Sequence, residues 1–354
     1  MNTKTAKVAI IGAGLAGMYA AFLLERKGFT DYVVLEARDD VGGRIATVDG
    51  FDLGPAWFWP GYQRQMDALV SELGLVRFAQ FETGIMMMER SRDERPFMAP
   101  GYVNAPAAIR LAGGMGALVA ALRSHVGRGR IVSGKAVRRL RCGADAVEVE
   151  CDGDAVSLRV DQVLLALPPR LAIQSIEFLP ALPQALAAQW EATDTWMAQH
   201  AKYLAVYDSP FWREMGLSGE ARSAAGPLAE VHDAALPGGR AALSGFFGVP
   251  ASVRKRVPDD EMRVLCRAQL ARLFGPAAAT PQAEYIKDWA LERFTATADD
   301  LAGAGQHARA PAAAPESGSW RGRVTGIASE WSPQYPGYLA GAIEAATLGI
   351  GAIL

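Results

Sequence analysis

Six residues, Gly12-Ala13-Gly14-Leu15-Ala16-Gly17, constrain this chain more than any others. They follow a short β-branched run, Lys7 to Ile11, and precede Met18 to Arg26, which reads as a helix. The order is strand, turn, helix. In that setting Gly12 permits the tight turn, Gly14 lets the backbone approach a pyrophosphate, and Gly17 lets the helix pack close to the strand. The diphosphate would sit on the helix N-terminus, whose unpaired N–H groups and positive dipole end favour anions. A second apolar strand, Tyr32 to Leu35, ends in Glu36. A carboxylate there, about 20 residues beyond the glycines, can accept hydrogen bonds from a ribose 2′-hydroxyl and disfavours a 2′-phosphate. NAD and FAD both suit this fingerprint. What separates them is the continuation, Ala37-Arg38-Asp39-Asp40-Val41-Gly42-Gly43-Arg44, which adds a second glycine pair and two cations able to pair with phosphate oxygens.

At 354 residues the chain has room for two interleaved domains that enclose a large cofactor. A formal net charge of −2 asks for no nucleic acid. The first strand is reached with no apolar leader before it, and Tyr338 to Leu354 is too short and polar to span a bilayer, so the expected location is cytoplasmic, with no membrane partner. Cys142, Cys151 and Cys266 have no paired spacing and read as small core residues. His125, His200, His232 and His307 are scattered, so no metal site is expected.

Glu36-Ala37-Arg38 followed by Val41-Gly42-Gly43-Arg44 resembles the flavin-containing amine oxidases, the monoamine and polyamine oxidase superfamily. The likeness recurs in order at Asp52 to Trp57, Arg110 to Gly116, Val163 to Pro169, Ser209 to Arg213 and Gly326 to Ala345. The resemblance implies an α/β fold, a Rossmann-like FAD-binding domain with an interleaved α+β substrate domain. It also implies FAD as cofactor. Gly12, Gly14, Gly17, Glu36, Arg38, Gly43 and Arg44 fall on positions for the ADP half, and Val137 on one whose backbone meets the adenine. Glu330, in Ala328 to Trp331, matches the block near the ribityl chain and pyrophosphate, and Leu339, in Gly337 to Ala342, the block whose backbone touches the isoalloxazine. The Leu339 N–H would face the flavin pyrimidine edge and stabilise negative charge on reduction. Lys202, counted back from Ser209-Pro210-Phe211-Trp212-Arg213, matches the lysine that holds a water at flavin N5. It borders an apolar, aromatic strand, where partial burial would depress its pKa. Trp289 matches the tryptophan beside the flavin.

The chain also departs from the family. Ala298 stands where monoamine oxidases carry the cysteine that bonds FAD, so the cofactor is expected to be non-covalent. Asp299 replaces one of two cage tyrosines, leaving Tyr338 as the surviving ring, and it reads either as a loop acid or as a partner for a cationic substrate. Trp57 stands where amino-acid oxidases have an arginine for the substrate carboxylate, which favours an amine without one. Trp57, Phe58 and Trp59 read as core or as the substrate face of the flavin. Between Leu75 and Arg110 the chain is far shorter than the family, a short form lacking the helical substrate insert, so the site should be more open. Met86-Met87-Met88 and Phe97-Met98 lie in this stretch and are expected in the core.

The expected FAD-binding domain comprises 1–80, 110–190 and 287–354, around a parallel sheet, and the substrate domain 81–109 and 191–286. Lys202 to Tyr207 and Ala241 to Gly248 read as strands, and Asp259 to Phe274 as an amphipathic helix with an acidic first turn. Ala146 to Glu150 and Val156 to Val160 read as a hairpin about Asp152-Gly153, and Ala302 to Ser319 as a mobile loop beside the site. The leading function is oxidation of an amine to an imine by hydride transfer to flavin N5, with O2 reoxidising the flavin to give H2O2. The open site leaves room for a homo-oligomer or a partner chain. The alternatives are a renalase-like or desaturase-like oxidoreductase on a non-amine substrate, and a flavin-bound partner subunit with little turnover.

Overall fold

A computed structural model of the chain describes residues 4–153, 157–302 and 309–354. Its first sheet is built around Lys4–Ile11, which pairs in parallel with Tyr32–Leu35 on one side and Leu158–Leu165 on the other. Val8, Ala9, Ile10 and Ile11 are all buried, as a central strand covered on both faces requires. Their side chains alternate: Val8 and Ile10 join the core under the helices Leu15–Arg26, Met115–Ser124 and Leu339–Gly351, whereas Ala9 and Ile11 join the opposite core with Trp190, Trp320 and Trp331. The sheet runs Glu177–Leu179, Val137–Cys142, Val147–Cys151, Leu158–Leu165, Lys4–Ile11, Tyr32–Leu35, Ile131–Val132, with Val324–Gly326 also on Leu158–Leu165. It is mixed rather than purely parallel, because Val147–Cys151 pairs antiparallel with both neighbours. Gly153, at φ +73°, makes the turn that the Asp152-Gly153 pair predicts, while 154–156, including Val156 of the expected strand, lie outside the described residues.

The second sheet runs Ala283–Asp288, Ala201–Tyr207, Ala241–Phe247, Leu228–Asp233, Leu217–Ser223, Ile85–Glu89, Phe97–Pro100. Helix Asp259–Phe274 covers one face with Met262, Cys266, Leu270, Leu273 and Phe274, and its acidic first turn, Asp259, Asp260 and Glu261, complements the positive end of its dipole. Ala201–Tyr207 is buried throughout. Tyr203, Ala205 and Tyr207 belong to the core under that helix, whereas Leu204 and Val206 pack with Phe51 on the other face. Strand alternation therefore sends Lys202 away from the helix and toward the first sheet.

The short stretch before Arg110 forms the hairpin Ile85–Glu89 and Phe97–Pro100 at the sheet edge. Met87 is buried, but Phe97 and Met98 are exposed, contrary to the core expectation, because their strand is the edge of the sheet among the described residues. Of the Ala302 to Ser319 segment, 303–308 lie outside the described residues, as does His307. The rest is pinned: Trp190 Nε1 donates to Ala312 O and Gly326 N to Ala313 O. Among the described residues no helix is long and apolar enough to cross a membrane.

Candidate active site

The glycine turn holds its shape through contacts that no side chain could share. Gly12 sits at φ +103°, and a Cβ on Gly17 would lie 1.9 Å from Gly12 O. Gly43, at φ +59°, passes so close to Gly14 that a Cβ on it would lie 2.9 Å from the Gly14 Cα. The two glycine pairs thus form one backbone cradle at the start of helix Leu15–Arg26, where no side chain caps the free N–H groups. Glu36 completes it from the end of Tyr32–Leu35. Its Oε2 accepts from Ala13 N at 2.6 Å and its Oε1 from Arg38 N at 2.9 Å, leaving carboxylate lone pairs for a ribose hydroxyl.

This cradle opens into a cleft of ≈ 700 Å³ between the two sheets. Gly12, Gly14, Glu36, Arg38, Gly43, Arg44, Val137, Trp289, Leu339, Trp57, Tyr338 and Lys202 line it together, although they come from widely separated parts of the chain. Gly17 and Glu330 stand one layer back. Gly17 sets the helix against the turn, and Glu330 grips Arg44 at 2.5 Å and 3.0 Å while Ser329 Oγ accepts from the same guanidinium. Burial opposes the charge on Arg44, but Glu330 outweighs it and raises the pKa. Arg38 is held by Glu292 and Thr295 and lies over the Phe294 ring. A glycine cradle, the Glu36 carboxylate, two fixed cations and aromatic walls suit the groups of a flavin dinucleotide, so these residues fit FAD. None of the cysteines lines the cleft.

Lys202 is 4 % exposed and its Nζ donates to Gly54 O at 2.5 Å. The rings of Trp57 and Phe246 flank it at 5.4 Å and 4.8 Å. Burial drives its pKa down from 10.5 to about 8, with Arg110 acting in the same direction and Asp52 against. Trp289 Nε1 donates to Leu53 O and its backbone N–H to His200 O, which fixes the indole at the cleft wall. The Trp57-Phe58-Trp59 cluster divides by strand-like alternation: Phe58 is fully buried, whereas Trp57 and Trp59 face the cleft.

Asp299 is not brought to the cleft. Helix Ala298–Ala302 turns it outward, exposed and accepting from Gln174, while the next residue, Asp300, is buried on Arg170, Thr195 and Thr297. The second ring beside Tyr338 comes instead from Trp196, with centroids 4.8 Å apart. No local sequence signal marks Trp196. Glu230 also lines the cleft unforeseen: the sheet register places Lys202 opposite Phe246 and Phe246 opposite Glu230, one row across three strands. Burial works against its ionisation, but His232 at 2.5 Å and Arg222 hold its carboxyl below the usual range. His200, just before the strand and two residues ahead of Lys202, also lines the cleft, and the period of two could have found it.

The family model described as flavin containing amine oxidoreductase matches residues 77–349, and that of an NAD(P)-binding Rossmann-like domain matches 10–73. The chain belongs to the flavin-containing amine oxidoreductase family. It is therefore a flavoprotein whose cofactor is FAD, and an enzyme of the amine-oxidising class. Putrescine oxidase of Kocuria rosea is 27 % identical over 431 aligned positions, covering 86 % of this chain and 87 % of that protein. The alignment is longer than the chain itself, so the relative carries segments this oxidoreductase lacks, as the short-form expectation requires. A flavin-containing monoamine oxidase A of Dictyostelium discoideum is also 27 % identical, but this chain spans only 51 % of its length. Among solved structures, putrescine oxidase bound to putrescine superimposes with a TM-score of 0.78 at 22 % identity, over 99 % of both chains. Cyclohexylamine oxidase from Brevibacterium oxydans IH-35A gives 0.80 at 20 %, over 98 % of both chains. These two likenesses show that the amine oxidoreductase fold is shared.

Proposed function

We propose that this flavoprotein oxidises a primary amine, with diamines as the favoured class, and that Lys202 is its catalytic residue. The single observation that carries the reading is a buried lysine on the cleft wall, in one cross-strand row with an aromatic ring and a carboxylate. Bound FAD would supply the two-electron acceptor, taking a hydride from the carbon beside a neutral amine and passing the two electrons to O2 to give H2O2, while water would hydrolyse the imine product. Gly12, Gly14, Gly43, Glu36, Arg38, Arg44 and Val137 would hold the ADP half without a covalent bond. Arg44 is aimed by Glu330 and the close turn is secured by Gly17. Leu339, at the first turn of its helix, would offer a backbone N–H to the flavin ring, and Trp289 walls the site.

Lys202 Nζ, with one N–H committed to Gly54 O, holds a water and exchanges its proton. Trp57 and Tyr338, the latter with Trp196, form the apolar face for the substrate carbon chain. Glu230 lies two strand spacings from Lys202, about 10 Å, and so receives the distal ammonium of a short diamine. Glu230→Gln is expected to lower kcat/KM for diamines about tenfold and leave monoamines within twofold, a loss typical of one charge-assisted contact. Peroxide release measured over a panel of both classes checks this; equal losses for the two would remove Glu230 from substrate recognition.

The strands of the two sheets support reading 1–80, 110–190 and 287–354 as the FAD-binding domain and 81–109 and 191–286 as the substrate domain. Among the described residues no disulfide joins the cysteines, which supports a reducing, cytoplasmic setting. The exposed Phe97 and Met98 on the edge hairpin are where a second copy or a partner chain would cover the shortened side.

A further inference from the structure

Next to the cleft lies a second, much smaller cavity, and Lys202, Ala56 and Trp57 line both. Its volume is ≈ 10 Å³, and Asp52, Gln80, Arg110 and Asp233 supply its polar wall. A polar cavity of about this size holds one water molecule when several partners face it.

Most of those polar groups are already committed. Asp233 accepts from Trp212 Nε1, Ala235 N and twice from Arg213. Gln80 accepts from Trp57 Nε1 and donates to Phe81 O and Asp233 O. Arg110 donates to Ala234 O and Ala235 O at 3.1 Å each. Asp52 differs. Its Oδ1 accepts from Thr47 Oγ1 at 2.7 Å and Met115 N at 2.8 Å, but Oδ2 is buried without a partner among the described residues. A carboxylate oxygen stripped of water and left unpaired is costly. Across the cavity, Lys202 spends one N–H on Gly54 O and keeps two for other acceptors.

We propose that Asp52 is the positioning residue for Lys202, linked to its Nζ by a single water held in this cavity. The water accepts from the Lys202 ammonium and donates to Asp52 Oδ2, which satisfies both groups. Asp52 thereby steadies the Lys202 cation against Arg110, which faces it with like charge, while the lysine keeps its cleft side free for the reaction.

The charges around the pair agree. Burial pushes the Asp52 carboxyl up and the Lys202 ammonium down to about 8, and the attraction between the two opposes both shifts. The other ionisable groups packed round Lys202 carry their own counter-charges: Asp233 has Arg213, and Glu230 has Arg222 and His232. Lys287, next to it on the outer strand, has Glu292. Asp52 is left as the acid whose pairing depends on Lys202 and Arg110.

The proposal rests on Lys202 having the place given it above, but its test reads the proton affinity of that amine whether or not an amine is the substrate. The FAD-loaded protein, labelled with ¹⁵N at lysine Nζ, is titrated by NMR, with the Lys202 signal identified by its loss in Lys202→Met. The wild-type midpoint is expected near pH 8. Asp52→Asn keeps the acceptor for Thr47 and Met115 but removes the charge, and should lower the midpoint by about one unit, a tenfold weaker hold on the proton. Should Asp52→Asn fail to retain FAD, Ser244→Val fills the cavity from its other wall and should lower the midpoint in the same direction. A midpoint unmoved in a folded variant of either kind overturns the proposal.

Discussion

Lys202→Met is expected to slow turnover about 10²-fold, the usual worth of a positioned proton-transfer group. Rapid mixing separates the two half-reactions, and at least one of flavin reduction by amine and reoxidation by oxygen should carry the loss. If neither changes, Lys202 has no catalytic role. The pH profile gives a second reading, because the wild-type kcat/KM should bend near pH 8 and the variant's should not. Stability should move the other way. The folded Lys202 has its pKa lowered from 10.5 to about 8, so between those values the unfolded chain binds more protons than the folded one, and stability rises with pH across that window. Below about pH 8 the protein carries the full cost of a buried ammonium. Lys202→Met removes that cost and should raise Tm at pH 7 while it lowers activity.

Gly17→Ala should abolish FAD retention. The added Cβ, whose position the Gly17 backbone fixes, would meet the backbone Gly12 O at 1.9 Å, so relief requires the helix to leave the strand or the turn to open. A destabilisation of at least about 3 kcal/mol is expected, at the upper end for overpacking in a tight interior. Gly351→Ala is the control, since it also lies in a helix but meets nothing within 4 Å. Flavin absorbance relative to protein absorbance, with thermal melting of both variants, decides the matter. A yellow Gly17→Ala protein with unchanged Tm would mean that the close helix–strand approach is not what shapes the cradle.

The parts of this molecule that were legible in the sequence are those specified by near neighbours. Tyr32–Leu35 and Asp259–Phe274 fall where the apolar pattern and acidic first turn put them, and the glycine turn where its spacing requires. Lys202 was legible through the family resemblance, counted back from Ser209 to Arg213, and as a cation bordering an apolar strand. The row Lys202, Phe246, Glu230 was not, because register between distant strands is set by bulges and turns that the sequence does not announce. Trp196 fills the place beside Tyr338 from a loop without periodicity. Of the two readings of Asp299, a surface acid or a partner for a cationic substrate, the structure has the first, and the short helix buries its neighbour Asp300 instead. One residue of phase separates a buried carboxylate from a surface one.

Anaerobic mixing of the purified yellow protein with primary amines, diamines, polyamines and amino acids, followed by flavin absorbance, tests the amine-oxidising role most directly. Bleaching by primary amines, strongest with diamines and absent with amino acids, is the expected result, with the oxidised spectrum restored when oxygen is admitted. A spectrum unchanged by every amine, and bleached instead by a nicotinamide or a cyclic alkene, would contradict it.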